Sequence, residues 1–216
     1  MTRAVRRALE SRDDAPGSRR TQVERRDEAE RRILEAAALI VAEGGLEAIT
    51  LAEAGARAGY SRGLPSHYFR TKADLLSALA AYVIDSFMVK RRAVAPGLVG
   101  YEALVASLRY YFVLPPGAPE MVRAFHAVLA GALTVPAIAT TVAKLNRDTR
   151  TEIAAGLKAG IAAGKLRTDI DVDIESALIL AALRGSVAQW LVDPDGIDLD
   201  KMGEQFVAAV ERRLSK

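Results

Sequence analysis

The sequence of 216 residues has no cysteine, so neither a disulfide framework nor a thiolate metal site can form. Its two histidines, His67 and His126, stand far apart, which leaves no zinc-ligand spacing. Aromatic residues are scarce at 6% of the chain, and there is a single tryptophan. No uninterrupted apolar run is long enough for a membrane span: the stretch from His126 to Ala143 comes nearest, and it is rich in alanine and threonine and broken by Pro136. The first eighteen residues are charged and arginine-rich, which excludes a secretory signal peptide. Neither a G-x-S-x-G elbow nor a P-loop is present, so an enzyme reading has no constellation to rest on. These absences lead us to expect a cytoplasmic protein that is not an enzyme, needs no metal or other cofactor and has no membrane partner.

What the chain does have is alanine, leucine and arginine, with 50% hydrophobic residues overall. These residues favour helices and supply apolar surface for buried cores, so the expected fold class is all-α. Charge is graded along the sequence. Residues 1–32 carry ten basic and seven acidic side chains, residues 33–92 seven and six, and residues 93–216 thirteen and fourteen. The positive end is therefore N-terminal, as suits a surface that meets phosphates.

Residues 1–26 are arginine-rich, contain Pro16, Gly17 and Ser18, and show no sustained apolar period, so they read as a flexible basic arm. From Asp27 onward Ile33, Leu34, Ala37, Ala38, Ile40 and Val41 recur at helical spacing, and Gly44 and Gly45 are expected to stop that helix. Thr50 followed by Glu53 is a capping box, Ser61 is an expected N-cap, and Thr71 followed by Asp74 repeats the box with a shorter acid. Between the helices expected from Leu51 and from Arg62, Gly59 can take the positive φ of a sharp turn, which is helix-turn-helix geometry. A long periodic stretch through Leu76, Leu79, Val83 and Phe87 then links the two halves. Further helices are expected at about 100–114, 118–132, 136–163, 172–192 and 198–214.

The stretch TLAEAGARAGYSRGLPSHYFRTKADLL, residues 50–76, resembles the signature of the TetR family of bacterial transcriptional regulators. The resemblance implies a helix-turn-helix domain at 27–72, a linking helix at 73–92 and a helical regulatory and dimerisation domain at 93–216. It also implies double-stranded operator DNA as a partner, with contacts from Ser66, His67 and Tyr68. Physical roles can be assigned beside it. A recognition helix puts its N-terminal residues at base edges, which makes Arg62, with its neighbours Tyr60, Ser61 and Gly63, the base-reading candidate. Lys72 in the first turn of the linking helix, beside exposed N–H groups, suits a phosphate, and Thr50 offers the same arrangement across the groove. Two features depart from the family pattern: Pro65 removes a backbone donor inside the recognition helix, and Ser66 stands where most members have tyrosine.

In the body, Asp169, Asp171, Asp173 and Glu175 begin like a calcium loop. Ile174 and Leu180 occupy the positions that need glycine and a bidentate glutamate, so these acids read as helix caps. The polar and aromatic residues Arg109, Tyr110, Phe125 and His126, set among aliphatic ones, are candidates for contact with a small-molecule effector of unknown class. Residues 177–200 resemble the C-terminal region of family members with bodies like the choline-responsive regulators. Two half-sites require a homodimer, and its expected interface lies on the last two helices, at Ala181, Gly185, Ala188, Phe206 and Val210. The expected function is repression relieved by an effector; the alternative is an effector-independent architectural DNA-binding dimer.

Overall fold

The computed structural model describes residues 21–92, 97–113 and 119–216. These residues form eight α-helices and one short 3-10 turn: α1 (Gln22–Ala48), α2 (Leu51–Arg57), the turn Leu64–His67, α3 (Lys72–Arg92), α4 (Gly100–Tyr111), α5 (Pro119–Gly131), α6 (Pro136–Ala162), α7 (Val172–Val192) and α8 (Leu199–Leu214). The only extended pairing among the described residues is an isolated bridge between Leu166 and Ser215. No single helix among them is long and apolar enough to cross a membrane.

Most of the expected basic arm lies outside the described residues, but its last positions are helical. Thr21 caps α1 by accepting from the Glu24 amide at 3.1 Å, and the Glu24 carboxylate accepts from the Thr21 amide at 2.7 Å. This reciprocal box starts the helix at Gln22, five residues before Asp27, from which the helical pattern is read. Nor does the glycine pair end it. Gly45, at φ 74°, kinks α1, and a last turn continues to Ala48.

Two cores follow from the apolar faces. The first gathers Ile33 and Val41 of α1, Leu75, Leu79 and Val83 of α3, Phe125 and Val128 of α5, and Ile138 and Val142 of α6. The second gathers Leu104 and Leu108 of α4, Leu157 of α6, Ile179 and Leu183 of α7, and Val207 and Leu214 of α8. Burying each such side chain contributes about 1.5–3 kcal/mol. The N-terminal head thus shares its core with the body. Beyond the kink, Leu46 sits where a side chain on Gly131 would fall, so the end of α1 seats on the end of α5. Ser77 of α3 donates to the Ala137 carbonyl of α6 at 2.7 Å.

The amphipathic stripe of α8 faces inward: Leu199, Val210 and Leu214 are buried in the subunit's own core, and the Phe206 ring lies 5.6 Å from that of Phe112. Gly203 admits the Phe112 ring against the helix backbone. Within the subunit that carries them, Val210 is thus buried and Phe206 half-buried. The expected caps of α7 form, with Asp171 accepting from the amides of Asp173 and Ile174, both at 3.1 Å.

Candidate nucleic-acid interface

Thr50 opens α2 as expected, accepting from the Glu53 amide at 3.1 Å. A bidentate pair between Arg57 and Glu43 ties α2 to α1, with Nη1 to Oε2 at 2.7 Å. The guanidinium holds the Glu43 carboxyl below the ordinary carboxylate range. Gly59 then takes φ 79°, the left-handed conformation the turn requires.

The reading segment is not a regular α-helix. Its amides bond back three residues, Leu64 to Ser61 and Ser66 to Gly63, and Pro65 has no amide to give. Ser61 is consequently not an N-cap: its carbonyl, not its hydroxyl, holds the turn. Pro65 is buried against α2 at Gly55, where a side chain would come within 2.8 Å of the proline ring and of the Ser61 oxygen.

Around this turn Thr50, Ser61, Arg62, Gly63, Ser66 and His67 are all exposed. The Arg62 side chain makes no hydrogen bond or ion pair among the described residues, so its charge is available to a ligand. Tyr60 and Tyr68 are half-buried against the head core. Tyr68 is further held by Arg26, whose guanidinium lies 5.8 Å from the ring centroid. Lys72 is drawn onto the end of α1, donating to the Glu47 carbonyl at 3.1 Å. Thr71 and Asp74 form the expected reciprocal box ahead of it, at 3.0 and 3.1 Å. Sequence reasoning missed Arg26, because it read that stretch as an arm, and exposed Arg70, which immediately precedes the box.

The four body candidates do not converge. Arg109 is exposed and 3.8 Å from Glu211, and Phe125 is buried, stacked on Phe87 with centroids 4.4 Å apart. Tyr110 and His126 are half-buried on different helices. A half-open cavity lies elsewhere. A cavity of about 350 Å³ between α4, α6 and α7 is walled by Leu104, Leu108, Ile153 and Leu183, with Ser107, Tyr111, Thr149 and Glu152 as polar points. Tyr111 packs edge-on against Phe87 of α3 at 5.6 Å. On α7, Ala181, Gly185 and Ala188 continue a face that includes Ile174, Leu178 and Val192, which are 59%, 53% and 87% exposed.

A glycine turn that presents an exposed polar segment, carried on an all-helical body, defines a helix-turn-helix DNA-binding regulator. Residues 33–79 match the model of bacterial regulatory proteins, tetR family, and residues 100–215 match that of the BetI-type transcriptional repressor, C-terminal. The chain belongs to the TetR family and is a DNA-binding transcriptional regulator. It is 26% identical to the HTH-type transcriptional repressor KstR2 of Rhodococcus jostii over 185 residues, 82% of this chain and 87% of that one. The HTH-type transcriptional regulator CymR of Pseudomonas putida is 36% identical over 75 residues, 35% of this chain and 37% of that protein. The fold matches a putative transcriptional regulator from Saccharomonospora viridis in complex with choline (TM-score 0.78, 21% identity, 88% of this chain and 99% of that one).

Proposed function

We propose that the protein is a homodimeric repressor that leaves its operator when a small organic molecule fills the cavity between α4, α6 and α7. The observation that carries this reading is the contact of Tyr111, a cavity wall, with Phe87 on the helix that enters the head. A ligand that displaces Tyr111 acts on α3 directly, and coupling of this kind is reciprocal: DNA disfavours ligand as ligand disfavours DNA. Similarity to a KstR2 repressor supports the sign, and fold neighbours solved in complex with choline and with triclosan support a small organic ligand. The reading segment supplies Arg62 to base edges and Ser66 and His67 to phosphates or bases, while Thr50 and Lys72 hold phosphates on either side. Dimerisation falls first to the exposed apolar face of α7, because Leu199, Val210 and Leu214 of the α8 stripe are already buried and only Met202 and Phe206 keep some exposure. Leu178→Asp is expected to yield a folded monomer by light scattering with weakened operator binding.

The test screens a metabolite panel by thermal shift and measures each hit against an operator obtained by in vitro selection. A ligand of the cavity raises the melting temperature and lowers operator affinity. Ala103→Phe, which fills the cavity, should remove both effects, and Phe87→Ala should keep the first and lose the second. Ligands that stabilise the protein and leave DNA affinity untouched would instead describe an effector-independent architectural dimer.

A further inference from the structure

A second recess lies on the other side of α7. It is an open groove of about 660 Å³ with one wall from each of three helices: Val41, Ala42 and Gly45 of α1, residues 123–130 of α5, and residues 184–192 of α7. Its floor is apolar, built in part by Leu129 and Leu191. Its charged residues are all basic: Arg123 and Arg184, with His126 between them in chain order. No carboxylate lines it. The nearest acid along α1, Glu43, is engaged by Arg57. Neither groove arginine makes an ion pair among the described residues. Arg184 is half-buried and hydrogen-bonds two neutral groups, the Asn146 side chain, Nη1 to Oδ1 at 2.5 Å, and the Tyr111 hydroxyl.

A guanidinium taken this far out of water without a counter-charge is costly, and an anion that approaches it recovers a charge-assisted bond. Burial and the Arg184 charge push the His126 imidazole down to about 4, which reports the same positive potential in the groove. We infer that this groove binds an amphipathic anion, with its single anionic head group between Arg123 and Arg184 and its apolar chain along Leu129 and Leu191 toward α1. The site is distinct from the cavity between α4, α6 and α7, and an occupant touches the head itself because α1 supplies one wall. Gly185, Ala188 and Val192 belong both to the groove and to the α7 face assigned to the dimer, so a second copy would border its mouth.

Titration calorimetry of the full chain with four ten-carbon probes tests this: decanoate, decyl phosphate, decanol and decyltrimethylammonium. Decanoate or decyl phosphate should bind one per protomer, about tenfold or more tighter than the neutral and cationic probes, the scale of one charge-assisted contact. Arg123→Gln, at an exposed position that the fold does not need, and Arg184→Gln should each weaken anion binding about tenfold. Ala130→Phe fills the groove and should abolish it, whereas Ala103→Phe fills only the other cavity and should leave it intact. Equal binding of all four probes, no binding of either anion, or loss with Ala103→Phe and retention with Ala130→Phe would each overturn the assignment. The last result would move the ligand to the effector cavity without touching the reading proposed for that cavity.

Discussion

Gly55 offers the sharpest mutational handle on the reading segment. A methyl group there would stand 2.8 Å from Cδ and Cγ of Pro65 and 2.8 Å from the Ser61 oxygen. Ordinary contacts begin near 3.4 Å, so the turn must retreat by about 0.6 Å. Two effects oppose each other in Gly55→Ala. Alanine in a helix interior gains about 1 kcal/mol over glycine, and overpacking a closed contact costs about 1–3 kcal/mol. The net loss of stability is therefore small, about 0–2 kcal/mol, which for a chain of this size lowers the melting temperature by about 8 °C at most. Binding has no compensating gain. Arg62 and Ser66 ride on the displaced turn, and one base contact pulled out of register costs about 1–3 kcal/mol, or about 5- to 150-fold in affinity. Fluorescence anisotropy on the selected operator should show that loss in a protein still folded by circular dichroism. Pro65→Ala removes the two ring atoms, so the double variant should recover part of the lost affinity, with a coupling of about 0.5–3 kcal/mol. A single variant that binds as tightly as the parent, or a double variant whose effects simply add, would refute the claim that Gly55 sets the position of the reading turn.

Gly59→Val should abolish operator binding while leaving the body folded: its φ of 79° strains a β-branched residue even though the space around it is open. Circular dichroism beside a gel shift checks both halves. Arg62→Ala should cost about 1–3 kcal/mol and relax preference at one base position, whereas Lys72→Ala should weaken all sequences alike and make the salt slope shallower by about one unit. Competition with random DNA across a salt series separates the two. The His126 imidazole is pushed down to about 4 by burial and by Arg184, so below its ordinary 6.5 the unfolded chain takes up a proton that the folded one refuses. Stability should therefore fall as pH drops from about 6.5 toward 4, by no more than about 1.4 kcal/mol per pH unit. Urea unfolding across that range should be flatter for His126→Gln.

Helix positions in the body were legible because their signals are local. α7 runs Val172–Val192 as its Asp171 cap and the Asp193 to Gly196 turn predict, and α5 to α8 fall within two residues of expectation. Where reading failed, the deciding contact was distant or the local signals competed. Arginine-rich composition hid the Thr21 and Glu24 box, and the kink at Gly45 carries Leu46 to a seat on Gly131 that no local pattern announces. Pro65 was recognised as an irregularity, yet only the packing against Gly55 shows that the whole reading segment becomes a 3-10 turn. An apolar stripe says that a helix face is covered and not by what, so the α8 stripe alone could not tell that Leu199, Val210 and Leu214 pack into the core of their own subunit. Tyr110 was singled out while its neighbour Tyr111 walls the cavity; one residue on a helix turns a side chain by about 100°.

The buried proline has a thermodynamic consequence for the encounter with DNA. Had the reading segment been a free loop, fixing its backbone on the operator would draw about 1–2 kcal/mol of entropy per residue from the binding free energy. With Pro65 packed against Gly55, that cost falls on folding, before any DNA is met. Association should accordingly lack the large heat-capacity and entropy signature of coupled folding. A protein template that does not remodel itself to suit a poor sequence leaves the adjustment to the duplex, so discrimination comes to depend on how easily each sequence bends and twists to fit.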